Sequence, residues 1–559
     1  MPNIRRTRWL LPAAGSVIAA LMLASQLKWG STVFTDDPFI SYRYAQNLVA
    51  GHGLVFNPGE RVEGYTNFLW TMMLAGGIAL GIDPVPLSKV AGILSELLTL
   101  AVVIGCGARI SPSPWGPLAA ALALIANRSY ITWGGGGLEA PLFGLLTVCA
   151  VCVFIRSDTR WGLASAGVFS ALAALTRPEG ALLPLAIAVV HVARARREHG
   201  GREAFRGALA LAAGFLAVFL PHFIWRLAYY GYPLPNTFYA KVGGNIAGRL
   251  ARGSTYTIDF FRDAGDVGLL AATIVSGWRW RRERAVLIPV ILAMMTAVII
   301  YEGGDWMPHN RFFVPFWPLF ALAIGRAVLA LGTVPTQHRW LRWTSRGLSL
   351  ALLAYIAAQP ILPKSEALTT MLSKFAQQHM SEPGAKPRPD VKVIGQTLQW
   401  RQPEGEHWMD APRALGLWLR DNAPGAVIAL GSIGIIPYYS ELTTIDFFGI
   451  TDEHIAHGQR QGGFTLVGHQ KFDIEYLLDR RPDFIIFAGR AAGEADRPSN
   501  YWMKVLGFDR QQEFLAWYAP FTIHTEGKTF TVLKRQSAVA GDGPRRVGQL
   551  GRPVRAAQE

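Results

Sequence analysis

Residues 279 to 311 form three blocks, RWRRER (279–284), AVLIPVILAMMTAVIIYE (285–302) and GGDWMPHNR (303–311), and their order indicates the class of protein. The middle block is apolar and has the length of a membrane span, which needs roughly 17 to 25 mostly apolar residues. Short cytoplasmic loops collect arginine and lysine. The stretch therefore predicts a helix that leaves the cytoplasm and carries a polar segment on the outer side.

The same pattern recurs over the first 362 residues and predicts about eleven membrane helices. Several runs are short and bounded by glycine and proline, which is typical of broken helices packed around a cavity. The first run follows Arg5, Arg6 and Arg8 like a signal peptide, but its length favours a retained anchor. The candidate runs are 9–29, 88–108, 116–133, 138–155, 161–176, 180–193, 207–229, 265–278, 285–302, 312–332 and 346–362.

Composition excludes a disordered or ordinary soluble protein, because 51% of the 559 residues are hydrophobic and only 17% are charged. The net charge of +15 belongs to the membrane part: residues 1–362 hold 31 basic and 17 acidic side chains, whereas residues 363–559 hold 23 and 22. Membrane topology explains this division better than nucleic-acid binding, so no nucleic-acid partner is expected. The three cysteines lie in apolar runs and indicate no disulfide framework.

The arginine clusters set the predicted orientation. Placing them in the cytoplasm gives a cytoplasmic N-terminus, a tail outside the inner (plasma) membrane, and most acidic loops on the outer side. This assignment holds only if the apolar stretch 65–82 does not cross the membrane. The clusters are the N-terminal arginines, Arg109, Arg156 with Arg160, Arg194 to Arg206, Arg279 to Arg284, and Arg339 with Arg342 and Arg346.

Two adjacent carboxylates, Asp36 and Asp37, follow the first span directly. Carboxylates at a membrane boundary are costly unless solvated, paired or used, and either one can act as a general base on a hydroxyl group. The alternative is a helix cap: Asp37 stands before Pro38 and suits the N-cap of a helix through residues 44–49. This alternative favours Asp36 as the base.

Further charged and aromatic side chains occur in the other outer loops. A tryptophan can stack on a sugar face, and arginine binds phosphate as a bidentate partner. The alternatives are an Asp305–Arg311 ion pair at a helix end and a self-satisfied Arg177–Glu179 pair. The candidate substrate-binding and phosphate-binding residues are Arg43, Glu63, Tyr65, Glu139, Arg177, Glu179, Lys241, Asp305, Trp306, His309 and Arg311.

These loop sequences resemble the membrane glycosyltransferases of the GT-C superfamily. Within it they resemble the mycobacterial terminal β-(1→2)-arabinofuranosyltransferases and the flagellar motor control protein-like family. The resemblance covers about residues 30–330, and the first loop is its most specific part. The motifs are DDPFISYRYA (36–45), GHGLVFNPGERVEGYTNFLW (51–70), GLEA (137–140), TRPEG (176–180) and GGDW (303–306).

The resemblance implies an extracytoplasmic site, a polyprenyl-phosphate sugar donor and transfer with inversion to an envelope glycan or lipid. It also implies that the first-loop acid, Asp36 or Asp37, is the catalytic base. The sugar, a pentofuranose in the named relatives, carries over poorly, because nothing in these motifs recognises a sugar ring. Cations are available for the departing phosphate, so no metal or other cofactor is expected.

Residues 363–540 predict a small extracytoplasmic α/β domain, and residues 541–559 an Arg/Gly-rich disordered tail. A polar linker spans 381–389, a helix 413–422, and strands 426–430, 484–487 and 529–533. The turn beginning at Gly431 lacks the spacing of a dinucleotide-binding loop. Acceptor binding, or a lid over the membrane cavity, is the favoured role of this domain.

Two other functions fit a polytopic membrane protein. A transporter or flippase is expected to contain repeated halves and charges near mid-membrane, and the sequence has neither feature. A non-catalytic envelope or motility factor built on the same scaffold also fits this sequence. The residues therefore favour an α-helical polytopic GT-C-type glycosyltransferase over a transporter.

Overall fold

The computed structural model describes residues 4–29, 35–110, 113–157, 159–241, 246–264, 283–305, 307, 309–332, 409–458, 471–487, 507–508 and 512–536, with isolated positions between 273 and 354. The part up to Gly332 is helical, and short 3-10 turns precede α9, α13 and α14 at Pro178–Leu182, Arg284–Val286 and Arg311–Phe316. Its helices are α1 (Ile4–Trp29), α2 (Pro38–Val49), α3 (Phe68–Ala79), α4 (Pro84–Ile110), α5 (Trp115–Ala126), α6 (Arg128–Gly134), α7 (Ala140–Arg156), α8 (Arg160–Thr176), α9 (Leu183–Glu198), α10 (Gly201–Tyr230), α11 (Asn236–Lys241), α12 (Ile246–Ala264), α13 (Leu287–Glu302) and α14 (Trp317–Gly332).

Five helical stretches among the described residues are long and apolar enough to cross a membrane, by length and composition. The described residues do not confirm the predicted number of about eleven spans, which stays a prediction. The predicted runs 265–278 and 346–362 lie almost entirely outside the described residues. The five stretches are Pro84–Ile110, Pro178–Glu198, Gly201–Tyr230, Arg284–Glu302 and Arg311–Leu329.

Helix α3 occupies the apolar stretch on which the predicted topology depends. It has 12 residues, and at 1.5 Å per residue it is about 18 Å long. The hydrocarbon core of a bilayer is about 30 Å thick. Helix α3 alone is therefore too short to cross, as the predicted orientation requires.

Small residues let the membrane helices approach closely. A Cβ atom at Gly167 of α8 would lie 2.2 Å from the carbonyl oxygen of Leu211, and one at Gly214 of α10 would lie 2.0 Å from that of Ala164. Such contacts between small residues are a common way of joining helices in lipid, where burial of apolar surface contributes little. The α8–α10 pair is thus fixed by backbone packing.

The segment from Tyr230 to Arg262, which lies between the predicted membrane runs 207–229 and 265–278, is largely helical and forms α11 and α12. Its apolar residues are spaced for one face of a helix, although its overall composition is polar. The buried ring of Phe260 stacks on Phe313 with centroids 3.8 Å apart, and the hydroxyl of Tyr256 accepts a hydrogen bond from the backbone N–H of Phe312. Helix α12 is therefore held against the start of α14.

The described residues from 409 onward form a five-stranded sheet with flanking helices. The strand order is β2-β1-β3-β5-β4; β1 pairs in parallel with β2 and β3, whereas β5 is antiparallel to β3 and β4. The predicted helix and all three predicted strands are present, and their observed bounds differ from the predicted ones by at most three residues. Strands β2 and β4 complete the sheet. The elements are α15 (Asp410–Asn422), β1 (Val427–Leu430), α16 (Ile435–Ser440), β2 (Thr443–Asp446), α17 (Glu453–His457), α18 (Ile474–Asp479), β3 (Phe484–Ile486), α19 (Gln512–Trp517), β4 (Tyr518–Thr525) and β5 (Lys528–Arg535). The linker 381–389 and the tail 541–559 lie outside the described residues.

Helix α2 joins the membrane part to this sheet domain. The guanidinium of Arg43 donates to the carbonyl oxygens of Phe56 at 2.7 Å, Leu442 at 2.6 Å and Pro437. Asn57 bonds the backbone of Thr444 through both its amide nitrogen, at 2.8 Å, and its oxygen, at 3.0 Å. The contacts to Pro437, Leu442 and Thr444 link residues almost 400 positions apart and fix the first loop to the domain.

Candidate active site

Asp37 lies at the start of α2, where Pro38 is the first helical residue. It occupies the N-cap position, but its carboxylate makes no capping hydrogen bond. The side chain is 39% exposed, and its Oδ2 atom lies 3.6 Å from Nη1 of Arg311. Asp37 therefore presents a carboxylate that an incoming hydroxyl group can reach, which a general base requires, and it has a cation beside it.

Asp36 points at the sheet domain instead. Its two carboxylate oxygens accept hydrogen bonds from the backbone N–H groups of Gly434, at 2.7 Å, and Ile435, at 2.8 Å. Burial raises the pKa of Asp36 from 3.8 to about 6, although both N–H donors favour the charged form. Asp37 does not make the capping hydrogen bond on which the choice of Asp36 as the base depended. Asp36 instead docks the first loop onto the sheet domain.

Gly434 offers a stability test of this docking contact. A Cβ atom at this position would lie 1.9 Å from the backbone oxygen of Asp36, so backbone must shift to admit it. Overpacking of this kind costs about 1 to 3 kcal/mol, and we expect Gly434→Ala to lower the unfolding midpoint of the purified protein. A Cβ at Gly76 of α3 meets nothing within 4 Å, so Gly76→Ala is the matched control. Equal midpoints for the two variants would contradict the contact.

Arg311 forms an ion pair that the sequence offered as an alternative. Its Nε atom donates to Oδ2 of Asp305 at 2.7 Å, and the two side chains are 11% and 4% exposed. The guanidinium also lies over the rings of Trp133, at 5.7 Å, and Phe312, at 5.4 Å. Arg311 thus bridges a buried carboxylate and the accessible carboxylate of Asp37.

Arg177 is a second bridge between carboxylates. It donates to Glu139 at 2.9 Å and to Glu179 at 2.7 Å, and it lies 5.2 Å from the ring centre of Phe312. Burial alone would lower the pKa of Arg177, but the charges of Glu179 and Glu139 raise it above its ordinary value. The self-satisfied Arg177–Glu179 pair is therefore present, and it is extended by Glu139.

A hydrogen-bond chain connects these pairs to α2. Glu139 accepts from the amide nitrogen of Asn67 at 3.0 Å, and that amide also contacts the hydroxyl of Ser41 at 3.0 Å. Phe312 contacts both Arg177 and Arg311. We call the resulting group the outer polar cluster; its members are Asp37, Glu139, Arg177, Glu179, Asp305 and Arg311.

Lys241 belongs to the edge of this cluster. It is exposed at the end of α11, and its charge interacts with those of Glu179 and Glu302. His309 is half-buried in the loop before α14, where it and Asn310 have φ angles of 62° and 46°. Left-handed backbone at two consecutive non-glycine residues is uncommon and clusters at functional sites.

Three predicted residues lie away from the cluster. Arg43 is fully engaged with backbone oxygens, Glu63 accepts from Nε of Arg226 at 2.7 Å, and the buried hydroxyl of Tyr65 is 3.3 Å from that of Tyr230. Their contacts assign them to the packing of the first loop, and their proposed substrate contacts stay predictions. Trp306 lies outside the described residues.

Ser41, Asn67 and Phe312 link the members of the outer polar cluster to one another and to α2, and they were not among the residues predicted from the sequence. Asn67 ends the GYTN part of the first-loop motif, which is a signal that could have identified it. Ser41 and Phe312 carry no comparable signal, because a serine in a helix and a phenylalanine after an arginine are common. Within the described residues, no group of three or more His, Cys, Asp or Glu side chains is placed to hold a metal ion.

Comparison with known proteins gives two kinds of match. Residues 397–533 match a family model described as a domain of unknown function, DUF8728. The chain is 40% identical over 88 residues to a terminal β-(1→2)-arabinofuranosyltransferase of Mycobacterium tuberculosis, and 41% identical over 69 residues to one of Corynebacterium glutamicum. These alignments cover 16% and 12% of this chain, and only 13% and 10% of the two curated relatives.

The structural match is longer. ArnT of Cupriavidus metallidurans bound to undecaprenyl phosphate superposes with a TM-score of 0.55 over 96% of this chain and 100% of that one, at 13% sequence identity. The apo form of the same protein gives a TM-score of 0.50 over 94% and 98%. Identity this low bears on the fold alone. The resemblance predicted from the loop motifs is confirmed: this chain has the fold of the GT-C glycosyltransferases and is similar, over a short part of its length, to terminal arabinofuranosyltransferases.

Proposed function

We propose that this protein is an integral-membrane glycosyltransferase that moves a sugar from a polyprenyl-phosphate donor to an extracytoplasmic envelope glycan or lipid. The observation that carries the proposal is the pairing of the accessible Asp37 carboxylate with Arg311 at 3.6 Å, in a first-loop motif on a GT-C fold. Neither the sugar nor the acceptor is specified by this pairing. A pentofuranose fits the named relatives.

The proposed reaction is a single displacement at the anomeric carbon. Asp37 takes the proton of the acceptor hydroxyl as its oxygen bonds to that carbon, and the bond from carbon to the phosphate oxygen breaks. Attack opposite the leaving group gives inversion. Negative charge grows on the departing phosphate, so cations fixed beside it stabilise the transition state more than the ground state.

The two acids of the first loop have different roles in this proposal. Asp37 is the base, and Asp36 holds the loop through the backbone of Gly434 and Ile435. Arg177 is not the phosphate site in this proposal, because it already pairs with the carboxylates of Glu139 and Glu179. These three residues form a fixed set of ion pairs beside the base. An accessible cation for the phosphate is Lys241.

The proposed organisation follows the arginine distribution. Residues 1–362 form a polytopic inner-membrane domain of about eleven helices with a cytoplasmic N-terminus. We propose that residues 363–540 form an extracytoplasmic domain; residues 541–559 lie outside the described residues. Of these, residues 409–536 contain the sheet described above.

Reporter fusions test this topology. Fusions after Arg160, Arg206 and Arg346 should report the cytoplasm, since these arginines belong to the clusters assigned there. A fusion after Lys364 should report the outer side. A cytoplasmic signal from Lys364 would move the sheet domain, and with it the docking contact of Asp36, to the side opposite the proposed reaction.

The function itself is tested by supplying donors. Membranes containing the protein are incubated with a panel of radiolabelled polyprenyl-phosphate sugars and scored for transfer to any envelope glycan or lipid. Transfer that requires the protein supports the proposal. Labelled donor that crosses the membrane unchanged would favour a transporter, and no transfer from any donor, with correctly inserted protein, would favour a non-catalytic factor.

A further inference from the structure

Two arginines of α12 stand out because they have no counterion among the described residues. Arg249 and Arg252 lie three residues apart, which places them on neighbouring positions of one helix surface. Neither forms an ion pair or a hydrogen bond in the part of the chain that the structure describes, and the Nε atom of each is buried without a partner. Such unpaired donors are unfavourable in a protein and are usually satisfied by a ligand or an ion.

The arginines also act on each other. Burial, and after it the charge of Arg249, lowers the pKa of Arg252. Arg249 lies 4.7 Å from the ring centre of Tyr301, which orients the guanidinium but supplies no negative charge. An anion bound between them would remove the repulsion and satisfy the open N–H groups together.

Glycines let helix α12 and the end of α13 come close together beside the two arginines. Gly303 has a φ angle of 90°, and a Cβ atom there would lie 2.9 Å from Cγ of Arg249. On α12 itself, a Cβ at Gly253 would lie 2.2 Å from the carbonyl oxygen of Ile300. Helix α12 is thus pressed against the outer end of α13, which holds the arginines in place.

The helix of the arginine pair also contacts the chain beside the outer polar cluster. Tyr256 follows Arg252 by four residues, which is about 6 Å along the helix. Its hydroxyl accepts the backbone N–H of Phe312 at 3.0 Å, and Phe312 is the residue after Arg311. Arg252 is therefore about one helical turn from Tyr256, which contacts the residue next to Arg311.

The same helix exposes apolar side chains. Ile246, Leu250 and Ile258 are 55%, 38% and 38% exposed. Exposed apolar residues beside arginines on an amphipathic helix are typical of a helix that lies in the membrane interface. A ligand that reaches this position carries both an anionic group and a lipid chain.

We propose that Arg249 and Arg252 form a subsite for the phosphate of a lipid-linked ligand at the membrane boundary. A guanidinium group donates two parallel hydrogen bonds to phosphate oxygens, whereas the ammonium group of lysine acts as a point charge. This difference accounts for arginine rather than lysine at both positions. The identification of that ligand as the sugar donor rests on the proposed function. The subsite itself rests on the unpaired arginines, the glycine contact and the apolar exposure of α12.

Binding experiments on the full-length protein in detergent test the subsite. The probes are undecaprenyl phosphate, phosphatidylglycerol and inorganic phosphate, and the variants are Arg249→Gln, Arg252→Gln and the double variant. We expect each single variant to weaken the Kd for undecaprenyl phosphate by about tenfold or more, the usual effect of losing a charged hydrogen-bond partner. Arg61→Gln removes an exposed arginine that stacks on Tyr229 at 4.8 Å, and this control should bind normally.

The three probes separate the possible ligands. Inorganic phosphate alone should bind far more weakly, since it lacks the lipid chain, and equal weakening with phosphatidylglycerol would overturn the link to a polyprenyl ligand. Unchanged affinity in the double variant would overturn the subsite. Arg252→Lys should recover part of the affinity, because it keeps the charge but loses the fork.

Failure of the subsite and failure of the proposed function are distinguishable. If the protein transfers sugar and the double variant binds donor normally, the subsite is wrong and the function stands. If undecaprenyl phosphate binds through the arginines but no donor supports transfer, the subsite stands and the proposed activity is wrong. Unfolding midpoints equal to wild type are required of every variant, and Arg252→Lys provides the comparison where a glutamine variant is unstable.

Discussion

Asp37→Asn should lower the rate of sugar transfer by about 100-fold to 10,000-fold, the usual effect of losing a general base. Asparagine keeps the shape of the side chain and one oxygen, but it cannot take up the proton of the acceptor hydroxyl at neutral pH. Transfer is measured at neutral pH with equal amounts of correctly inserted wild-type and variant protein.

Asp36→Asn is the matched control, because it makes the same chemical change one residue away. Asparagine offers one oxygen to two N–H donors, so one of the bonds to Gly434 or Ile435 is lost, at about 1 to 3 kcal/mol. We expect a smaller loss of transfer than in Asp37→Asn. If Asp36→Asn instead abolishes transfer while Asp37→Asn retains it, Asp36 is the base and the assignment is reversed.

The membrane part could be predicted from the sequence to the extent that single helices are apolar. The run at 285–302 begins two residues before α13 and ends with it, and the run at 207–229 lies within α10. Helix α12 was missed because its apolar residues occupy one face of a polar segment, so its mean hydropathy is that of a loop. Its two arginines were consequently counted with the outer polar residues and not considered as a site.

The candidate site was predicted as a set of residues but not as a set of partners. Arg177 and Glu179 are neighbours in the chain, so their pair could be anticipated. The bond from Arg177 to Glu139 spans 38 residues, and the bond from Asp36 to Gly434 spans 398. Such partners follow from tertiary packing, which single-sequence periodicity does not specify.

Arg43 shows that a motif does not specify the partners of the side chains within it. An arginine in a motif beside two aspartates suggests phosphate binding. The structure instead engages it with the carbonyl oxygens of Phe56, Pro437 and Leu442. Motif membership therefore indicated that the residue matters to the site, and only its contacts indicated that it acts by holding the sheet domain against α2.

Arg311→Gln should lower transfer by an amount equivalent to about 2 to 5 kcal/mol, because Arg311 is a largely buried partner of both Asp37 and Asp305. Glutamine retains polarity but removes the charge beside the base. Part of the loss arises from Asp305, which is 4% exposed and would be left buried without its counterion. Transfer and unfolding must therefore be measured together.

The double variant Asp305→Asn with Arg311→Gln separates the two contributions. Removing both partners leaves no unpaired buried charge, so the unfolding midpoint should recover while transfer stays low. Arg326→Gln is the control for loss of an arginine from the same helical region, since Arg326 pairs with Glu283 at 3.4 Å at the predicted cytoplasmic end. If the double variant folds normally and also transfers sugar at the wild-type rate, Arg311 stabilises a helix end and takes no part in positioning the base.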